Sequence, residues 1–387
     1  MPRQAIADKT LNKVAELEKF MKSLNKNSKF RGYSDSDLVT KLGANPPKVE
    51  TISTGSLTLD QALGGGFGKG RLIEIYGPES SGKTSVALTA IGNVQREGGK
   101  ALFVDVEYAL DPSYARKLGV DTSSLYLAQP DTAEMALDLI EEVAGSGLVD
   151  IIVLDSVAAL TPKAELEGSA EDLTVGLIAR LMSKQLRKLV GIASRNKSTI
   201  IFINQTRDKI GGYARYGTPQ TTSGGKALKY YATQRIKVAR AGQPDLFKEG
   251  PNKGQPRSVR VKYTVEKNKI APPFRTAESV LEWSRGINQA AELFNVGKGY
   301  GILEGGSGGR YNLPDTDFKL PVGADKIIHE IETNKELFAT LEERVRVAIE
   351  KSFNEDVTPS QEEDPSVEDE PLEDLDPEET ADAEWRQ

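Results

Sequence analysis

The chain has 387 residues, 28% of them charged, with one histidine, His329, and no cysteine; that length holds one large α/β domain with smaller appendages, and the missing thiols exclude disulfides and thiolate metal sites. No segment is long and apolar enough to span a bilayer and residues 1–10 lack an apolar signal core, so a cytoplasmic protein is expected, with no membrane partner. The net charge of −7 is segregated: from Glu355 onward 15 acidic residues face one basic residue, a net −14, leaving 49 basic against 42 acidic residues, a net +7, before it. A cationic body with a polyanionic tail reads equally as a polyanion binder whose tail competes with the ligand and as a body with a solubilising tail.

Leu11, Val14, Leu17, Met21 and Leu24 recur at helical spacing, predicting a helix over 9–24 that is marginal alone and must dock on something. A polar, glycine-containing stretch leads from there to residue 47. Strands are then predicted over 72–76, 101–106, 125–128, 150–154 and 199–204. Helices fill the intervals at 84–97, 113–118, 132–145 and 176–195. Such alternation implies a mostly parallel sheet with helices on both faces and ligands at the carboxyl ends of its strands. After Gln205 comes a Gly/Thr/Tyr-rich loop, 206–225, too polar to pack and long enough to be functional. Further strands are predicted near 235–239, 259–266 and 280–283. A glycine cluster over 297–309 begins a smaller C-terminal unit that ends in a helix over 335–353. Beyond it the Glu/Asp/Pro composition predicts disorder.

Residues 71–84 read RLIEIYGPESSGKT, a buried-strand run entering a glycine-rich turn that ends in Gly-Lys-Thr. Gly77 and Gly82 remove side chains that would keep backbone N–H groups from converging on phosphate oxygens. Lys83 adds a point charge for the β/γ-phosphates, and the Thr84 hydroxyl can sit on Mg²⁺. The strand before and the helix after supply the context that this motif requires. The chain therefore binds a nucleoside triphosphate, with Gly77, Pro78, Glu79, Ser80, Ser81, Gly82, Lys83, Thr84 and Ser85 as its contacts.

Two more strands end in acids. Asp155 closes 150–154, where a phosphate-loop enzyme holds its Mg²⁺ with the loop hydroxyl. Glu107 follows 101–106 and is placed to polarise an attacking water. Read singly, each acid is equally a solvated strand-end carboxylate; beside the phosphate loop they read as catalytic. Gln205 closes 199–204, where its amide can report the γ-phosphate or cap a turn. The 176–193 helix puts Ile178, Leu181, Met182, Leu186, Leu189 and Ala193 on one face and Arg180, Lys184, Arg187 and Lys188 on the other. That basic stripe lies between two glycine-bearing loops, 163–175 and 206–225, so it is either a solvated face or a seat for a phosphate backbone. Tyr213 and Tyr216 offer surfaces for base stacking.

The residues resemble the bacterial RecA recombinase family over about 48–290, through TISTGSLTLDQALGGG at 51–66, GPESSGKT at 77–84, DVEYALDPSYARKLGVD at 105–121, DSVAALTPKAELEG at 155–168, INQTRDKIG at 203–211, TTSGGKALKYYA at 221–232 and EKNKIAPPF at 266–274. The resemblance implies a RecA-like phosphate-loop core, ATP and Mg²⁺ as cofactors, and a DNA-dependent ATPase that forms a helical filament on single-stranded DNA and exchanges strands with duplex DNA. By resemblance Glu107 activates water, Asp155 serves the Mg²⁺ site and Gln205 senses the γ-phosphate. Asp111 and Tyr114 lie beside the adenine, and Trp283 is the aromatic across the subunit boundary. Lys267 and Lys269 reach the neighbour's ATP, a cationic clamp on transition-state charge. Arg180, Ser183, Arg187, Arg207, Ser223, Gly224, Gly225 and Lys226 match DNA-contacting positions. Residues 1–47 match the segment that docks on the adjacent subunit, 291–353 the lobe that captures duplex DNA, and 354–387 the tail that restrains it. A LexA-type repressor and loading proteins are candidate partners of such a filament. Lys226 stands where the family usually has asparagine, Thr174 and Val175 differ from the usual first-loop residues, and 297–322 is only loosely similar. A ring-forming helicase on the same core and an ATP-gated scaffold without turnover are the competing readings. The lysine pair, the N-terminal helix and the lack of an added helicase module weigh against the first, and Glu107 with Lys83 against the second.

Overall fold

The computed structural model describes residues 2–26, 49–168, 176–208 and 220–355; the expectations for 27–47, Thr174, Val175, Tyr213, Tyr216 and the acidic tail from 356 onward lie outside the described residues. Along the main sheet the strands run Gly286–Ile287, Thr276–Glu282, Pro256–Asn268, Gln234–Arg240, Leu72–Gly77, Thr199–Asp208, Ile151–Asp155, Ala101–Asp105 and Leu125–Ala128. From Gln234–Arg240 to Leu125–Ala128 every pairing is parallel, and the remaining pairings along this path are antiparallel. The central strands are apolar runs because both their faces are covered. Alternate residues divide between the two faces. Ile73, Ile75, Phe103, Val153 and Ile201 pack with Val86, Ala90 and Ile91 of the Lys83–Arg96 helix. Leu72, Leu102, Leu154, Ile200 and Phe202 pack under Leu137 and Ile140 of Ala133–Ser146 and Met182, Leu186 and Leu189 of Leu177–Asn196.

The predicted strands and helices of the nucleotide-binding half are present, with ends displaced by at most one residue except at the end of the 199–204 strand. Their caps explain the ends. Thr132 accepts from the Met135 N–H at 3.1 Å to start one helix, and Gly147, in the left-handed region (φ 68°), stops it. The Thr199–Asp208 strand outruns its predicted end at residue 204 because Thr206, Arg207 and Asp208 pair antiparallel with Thr222, Thr221 and Gln220. Among the helices that were not expected are Leu57–Leu63, Gln289–Gly299 and Ala324–Thr333. Glycine hid the second: Gly297 and Gly299 lie inside its last turn, and Gly297 sits close against Leu303 and Leu341.

The C-terminal elements build a separate apolar cluster of Leu293, Phe294, Leu303, Leu313, Ile327, Ile331, Leu337, Leu341 and Val345, with Tyr311 edge-on to Phe294 at 5.2 Å. Along the N-terminal Pro2–Lys26 helix, Val14, Leu17 and Phe20 are exposed. No helix among the described residues is long and apolar enough to cross a membrane.

A buried carboxylate joins the two clusters. Glu292 accepts from Ser56 Oγ at 2.6 Å, the Leu57 N–H at 2.6 Å and Ser279 Oγ at 2.5 Å. Burial pushes its pKa from 4.5 up to about 7, its hydrogen bonds oppose this, and neighbouring Asp60, itself pushed up to about 6, adds to it. A carboxyl whose folded pKa is raised favours the folded state in its protonated form. That stability is complete below about 4.5 and is lost as the pH rises through about 7. At about 1.36 kcal/mol per pKa unit the Glu292 contribution is roughly 3 kcal/mol. Urea midpoints of the protein are therefore expected to fall between pH 4.5 and 7, and Glu292→Gln to flatten that fall. An equal pH slope in the variant would remove Glu292 as its source.

Candidate nucleotide site and nucleic-acid interface

The carboxyl ends of four adjacent parallel strands meet at one place. Gly77 is registered against Gln205 on the next strand, and Asp155 against Asp105 on the strand beyond. At Gly77 a Cβ would lie 2.0 Å from the Val238 carbonyl oxygen, so only glycine lets the chain leave the strand there. Gly82, at φ 97°, takes the left-handed turn that starts the Lys83–Arg96 helix. The first amides of that helix have no intrahelical acceptor, and its dipole adds positive potential at the same end.

Lys83 is buried and donates to the Pro78 carbonyl oxygen at 2.6 Å. Burial lowers its pKa, with Asp155, Glu107 and Glu79 acting in the opposite direction. Ser81 Oγ, inside the loop, is buried without a hydrogen-bond partner. An orphaned hydroxyl in a cradle of free amides fits a bound phosphate, which would supply the acceptor. Thr84 Oγ1 donates to Asp155 Oδ2 at 2.7 Å. Burial pushes Asp155 up to about 6, with Glu107 and Asp105 adding to the rise while the Thr84 bond and Lys83 oppose it. Glu107 Oε1 accepts from both Ser156 Oγ and Gln205 Nε2, the latter at 3.0 Å. The fold thus gathers Lys83, Thr84, Asp155, Glu107 and Gln205 into one site.

The other expected nucleotide contacts are placed differently. Tyr114 shares a 2.8 Å hydrogen bond with Ser85 Oγ, beside the loop. Asp111 caps the Pro112–Lys117 helix, accepting from the Ser113 N–H at 2.7 Å. Trp283 is exposed just past the strand whose Leu281 packs against Gly82. Lys267 and Lys269 are not brought to Lys83. Lys267 is registered against Arg235, and Arg235 against Glu74. Gly77 lies three positions beyond Glu74, about 10 Å along the strand. Lys267 Nζ instead donates to the Lys229 and Tyr230 carbonyl oxygens at 2.9 and 2.8 Å. Burial, then Lys269 and Arg235, push its pKa down to about 8.

The basic helix turns Arg180, Lys184, Arg187 and Lys188 outward, and Ile178, Leu181, Met182, Leu186, Leu189 and Ala193 pack toward the sheet. Lys188 pairs with Glu141 at 3.1 Å, and Arg187 Nε approaches Tyr231 OH at 3.4 Å. Ser183 Oγ donates back to the Ala179 carbonyl at 2.8 Å. Gly224 and Gly225, at φ 78° and 77°, bring the chain against Val157, Met182 and Ala179; a Cβ on either would lie 2.8 Å from a side-chain carbon. The turn carrying Ser223, Gly224, Gly225 and Lys226 therefore packs on the start of the helix that bears Arg180 and Ser183. Ser223 Oγ is buried without a partner. Arg207 lies in the strand pairing with Thr221.

Strand order and phosphate loop together define a phosphate-loop nucleoside triphosphatase. The chain matches the model of the RecA N-terminal domain family over residues 17–288. It is 49% identical over 313 residues to protein RecA of Macrococcus caseolyticus, covering 80% of this chain and 86% of that one. It is 48% identical to protein RecA of Nostoc sp. over 315 residues (81% and 85%) and of Thermus thermophilus over 310 residues (79% and 88%). Among solved structures it is similar to that of the RadB recombinase, with 25% identity and a TM-score of 0.46 over 61% of this chain and 98% of that one. The chain belongs to the RecA family. It is a DNA-dependent ATPase that acts in homologous recombination and DNA repair.

Sequence reasoning passed over four residues that build the site. Ser156 holds Glu107. Asp105 accepts from the Ala109 and Leu110 N–H groups and from Gln129 Nε2, each at 3.2 Å, fixing the turn that carries Glu107. Glu74 and Arg235 form a buried ion pair beneath the loop. A lone carboxylate in the apolar run Leu72–Ile75 was the available signal.

Proposed function

We propose that the protein binds ATP with Mg²⁺ at the phosphate loop, polymerises as a helical filament on single-stranded DNA, and exchanges that strand with homologous duplex. Thr84 and Asp155 would hold the Mg²⁺, whose charge would offset that developing on the phosphates. Lys83 fixes the phosphates, Glu107 orients the attacking water, and Gln205 reports the γ-phosphate. Asp111, Tyr114 and Trp283 flank the base. Lys267 and Lys269 act on the ATP of a neighbouring copy, which suits their distance from their own loop. The exposed apolar residues of the Pro2–Lys26 helix dock on that neighbour. Arg180, Ser183, Arg187, Arg207, the Ser223–Gly225 turn and Lys226 grip the DNA backbone without reading sequence. The C-terminal cluster captures duplex DNA, with the acidic tail restraining it.

One observation carries this reading. Gln205, bonded to Glu107, follows Asn204, whose amide donates at 3.1 Å to the carbonyl of Ser223 in the glycine turn. The water-activating acid, the phosphate sensor and the DNA-facing turn are thereby one bonded unit. Electron microscopy with single-stranded DNA tests it, using a slowly hydrolysed ATP analogue, ADP, or no nucleotide. Open helical polymers are expected with the analogue alone. Closed rings, or equal coating under all three conditions, would overturn the proposal.

A further inference from the structure

Beneath the nucleotide site lies a buried ionic network that neither water activation nor strand contact uses directly. Glu74 is fully buried in the Leu72–Gly77 strand, flanked by Ile73 and Ile75. Its Oε1 accepts from Asn204 Nδ2 at 3.1 Å and its Oε2 from Arg235 Nε at 2.5 Å. Arg235, 5% exposed, lies over the Tyr76 ring at 4.6 Å and reaches Glu266 Oε2 at 3.4 Å. Glu266 immediately precedes Lys267. On the other side Asn204 Oδ1 accepts the Gln205 N–H at 2.9 Å, and its amide also holds the Ser223 carbonyl.

The chain of contacts closes on itself. Lys267 donates to the Lys229 and Tyr230 carbonyls at the end of the Ala227–Tyr231 helix. That short helix follows directly on the Ser223–Lys226 turn, so Ser223, Asn204, Glu74, Arg235, Glu266 and Lys267 form a ring. Stability alone gives no reason for its charged members. Replacing a buried ion pair with apolar groups of similar volume is often neutral or stabilising. A fully bonded polar network does supply stiffness and a fixed geometry between its ends.

We propose that Glu74 and Arg235 are positioning residues that tie Gln205 and the Ser223 turn to the strand carrying Lys267, so that the DNA-gripping loop and the neighbour-facing lysine change state together. This rests on the reading of Gln205 as the γ-phosphate sensor and Lys267 as the cation supplied to a neighbour. Lys267 then has two alternative seats: its own helix's terminal carbonyls, or the phosphate of the next copy. The ring biases which seat it takes, as a two-state element must if both sites act on it.

The test compares single-strand affinity with a slowly hydrolysed ATP analogue against affinity with ADP, for Asn204→Ser, Glu74→Gln, the apolar pair Glu74→Leu/Arg235→Met, and Gln205→Ala. Nucleotide affinity without DNA and thermal midpoints are measured alongside. In the first three variants the analogue-over-ADP ratio is expected to fall at least about tenfold, within the roughly 5–150-fold typical of coupled sites, while nucleotide affinity holds. The apolar pair separates the roles: its thermal midpoint is expected to match the wild type while the ratio stays lost, which a purely structural role would not produce. Should Glu74→Gln fail to fold, Asn204→Ser and the apolar pair decide. If folded Asn204→Ser and the apolar pair keep the wild-type ratio while Gln205→Ala loses it, the sensor stands and the ring falls. If Gln205→Ala also keeps it, the sensor reading fails and this inference with it.

Discussion

Lys83→Ala is expected to abolish nucleotide-dependent binding of single-stranded DNA while leaving the chain folded. Lys83 is the first residue of its helix, and its one hydrogen bond there is to the Pro78 carbonyl oxygen. Alanine keeps the helical start, since it is the best helix former. The ammonium is different. It is held desolvated in the loop, where a charge interacts with phosphate oxygens much more strongly than it would in water. Removing one partner of such a buried charge contact costs about 2–5 kcal/mol, which is roughly 30- to 5,000-fold in affinity. A fluorescent ATP analogue titrated against wild type and variant measures that loss, and strand binding with the analogue is expected to fall to the ADP level. Tight filaments formed by the variant with ATP would contradict the assignment of the loop.

Glu107→Gln should separate holding the nucleotide from cleaving it. The amide oxygen can still accept from Ser156 or Gln205, so the strand ends keep their contacts. Only the negative charge that polarises water is lost. General-base contributions are typically about 10²–10⁴-fold, and DNA-stimulated phosphate release is expected to drop by that much. Strand binding with ATP is expected to persist and to decay more slowly than in the wild type, because the bound triphosphate outlives each turnover. Asp105, at the end of the same strand, is no substitute base, because it is buried and occupied by two backbone amides and Gln129. Near-normal hydrolysis in Glu107→Gln would remove Glu107 from its role.

The residues that were legible in sequence are those whose chemistry is local. The phosphate loop is a contiguous run between a strand and a helix, and Asp155 and Glu107 stand at strand ends, so apolar periodicity places them without knowledge of packing. Gln205 was found the same way. Ser156, Asn204 and Arg235 were not, because each acts through a partner tens of residues away that only the strand order brings near, and Asp105 was not because it works by accepting from the amides of its own turn. Asn204 and Glu74 are separated by 130 positions, and Arg235 and Glu74 by 161. Fold class was readable because alternating elements dictate a layered sheet. The C-terminal helices were harder. Gln289–Gly299 carries three glycines' worth of contrary signal around its end, at 297, 299 and 301, and tertiary packing against Leu303 and Leu341 overrides it.

The Lys267–Lys269 pair and the phosphate loop sit apart on the sheet, and on the proposed reading this distributes each catalytic centre over two copies. A solitary molecule then owns no finished centre and idles, however much fuel surrounds it. A row of copies has one centre fewer than it has members, because the last in line lacks a donor. Consumption of triphosphate is thus gated by assembly, and the two tips of the row are chemically unlike. One tip can fire and loosen, while the other holds triphosphate that it cannot cleave, so growth and shedding acquire a direction along the strand without any additional regulator.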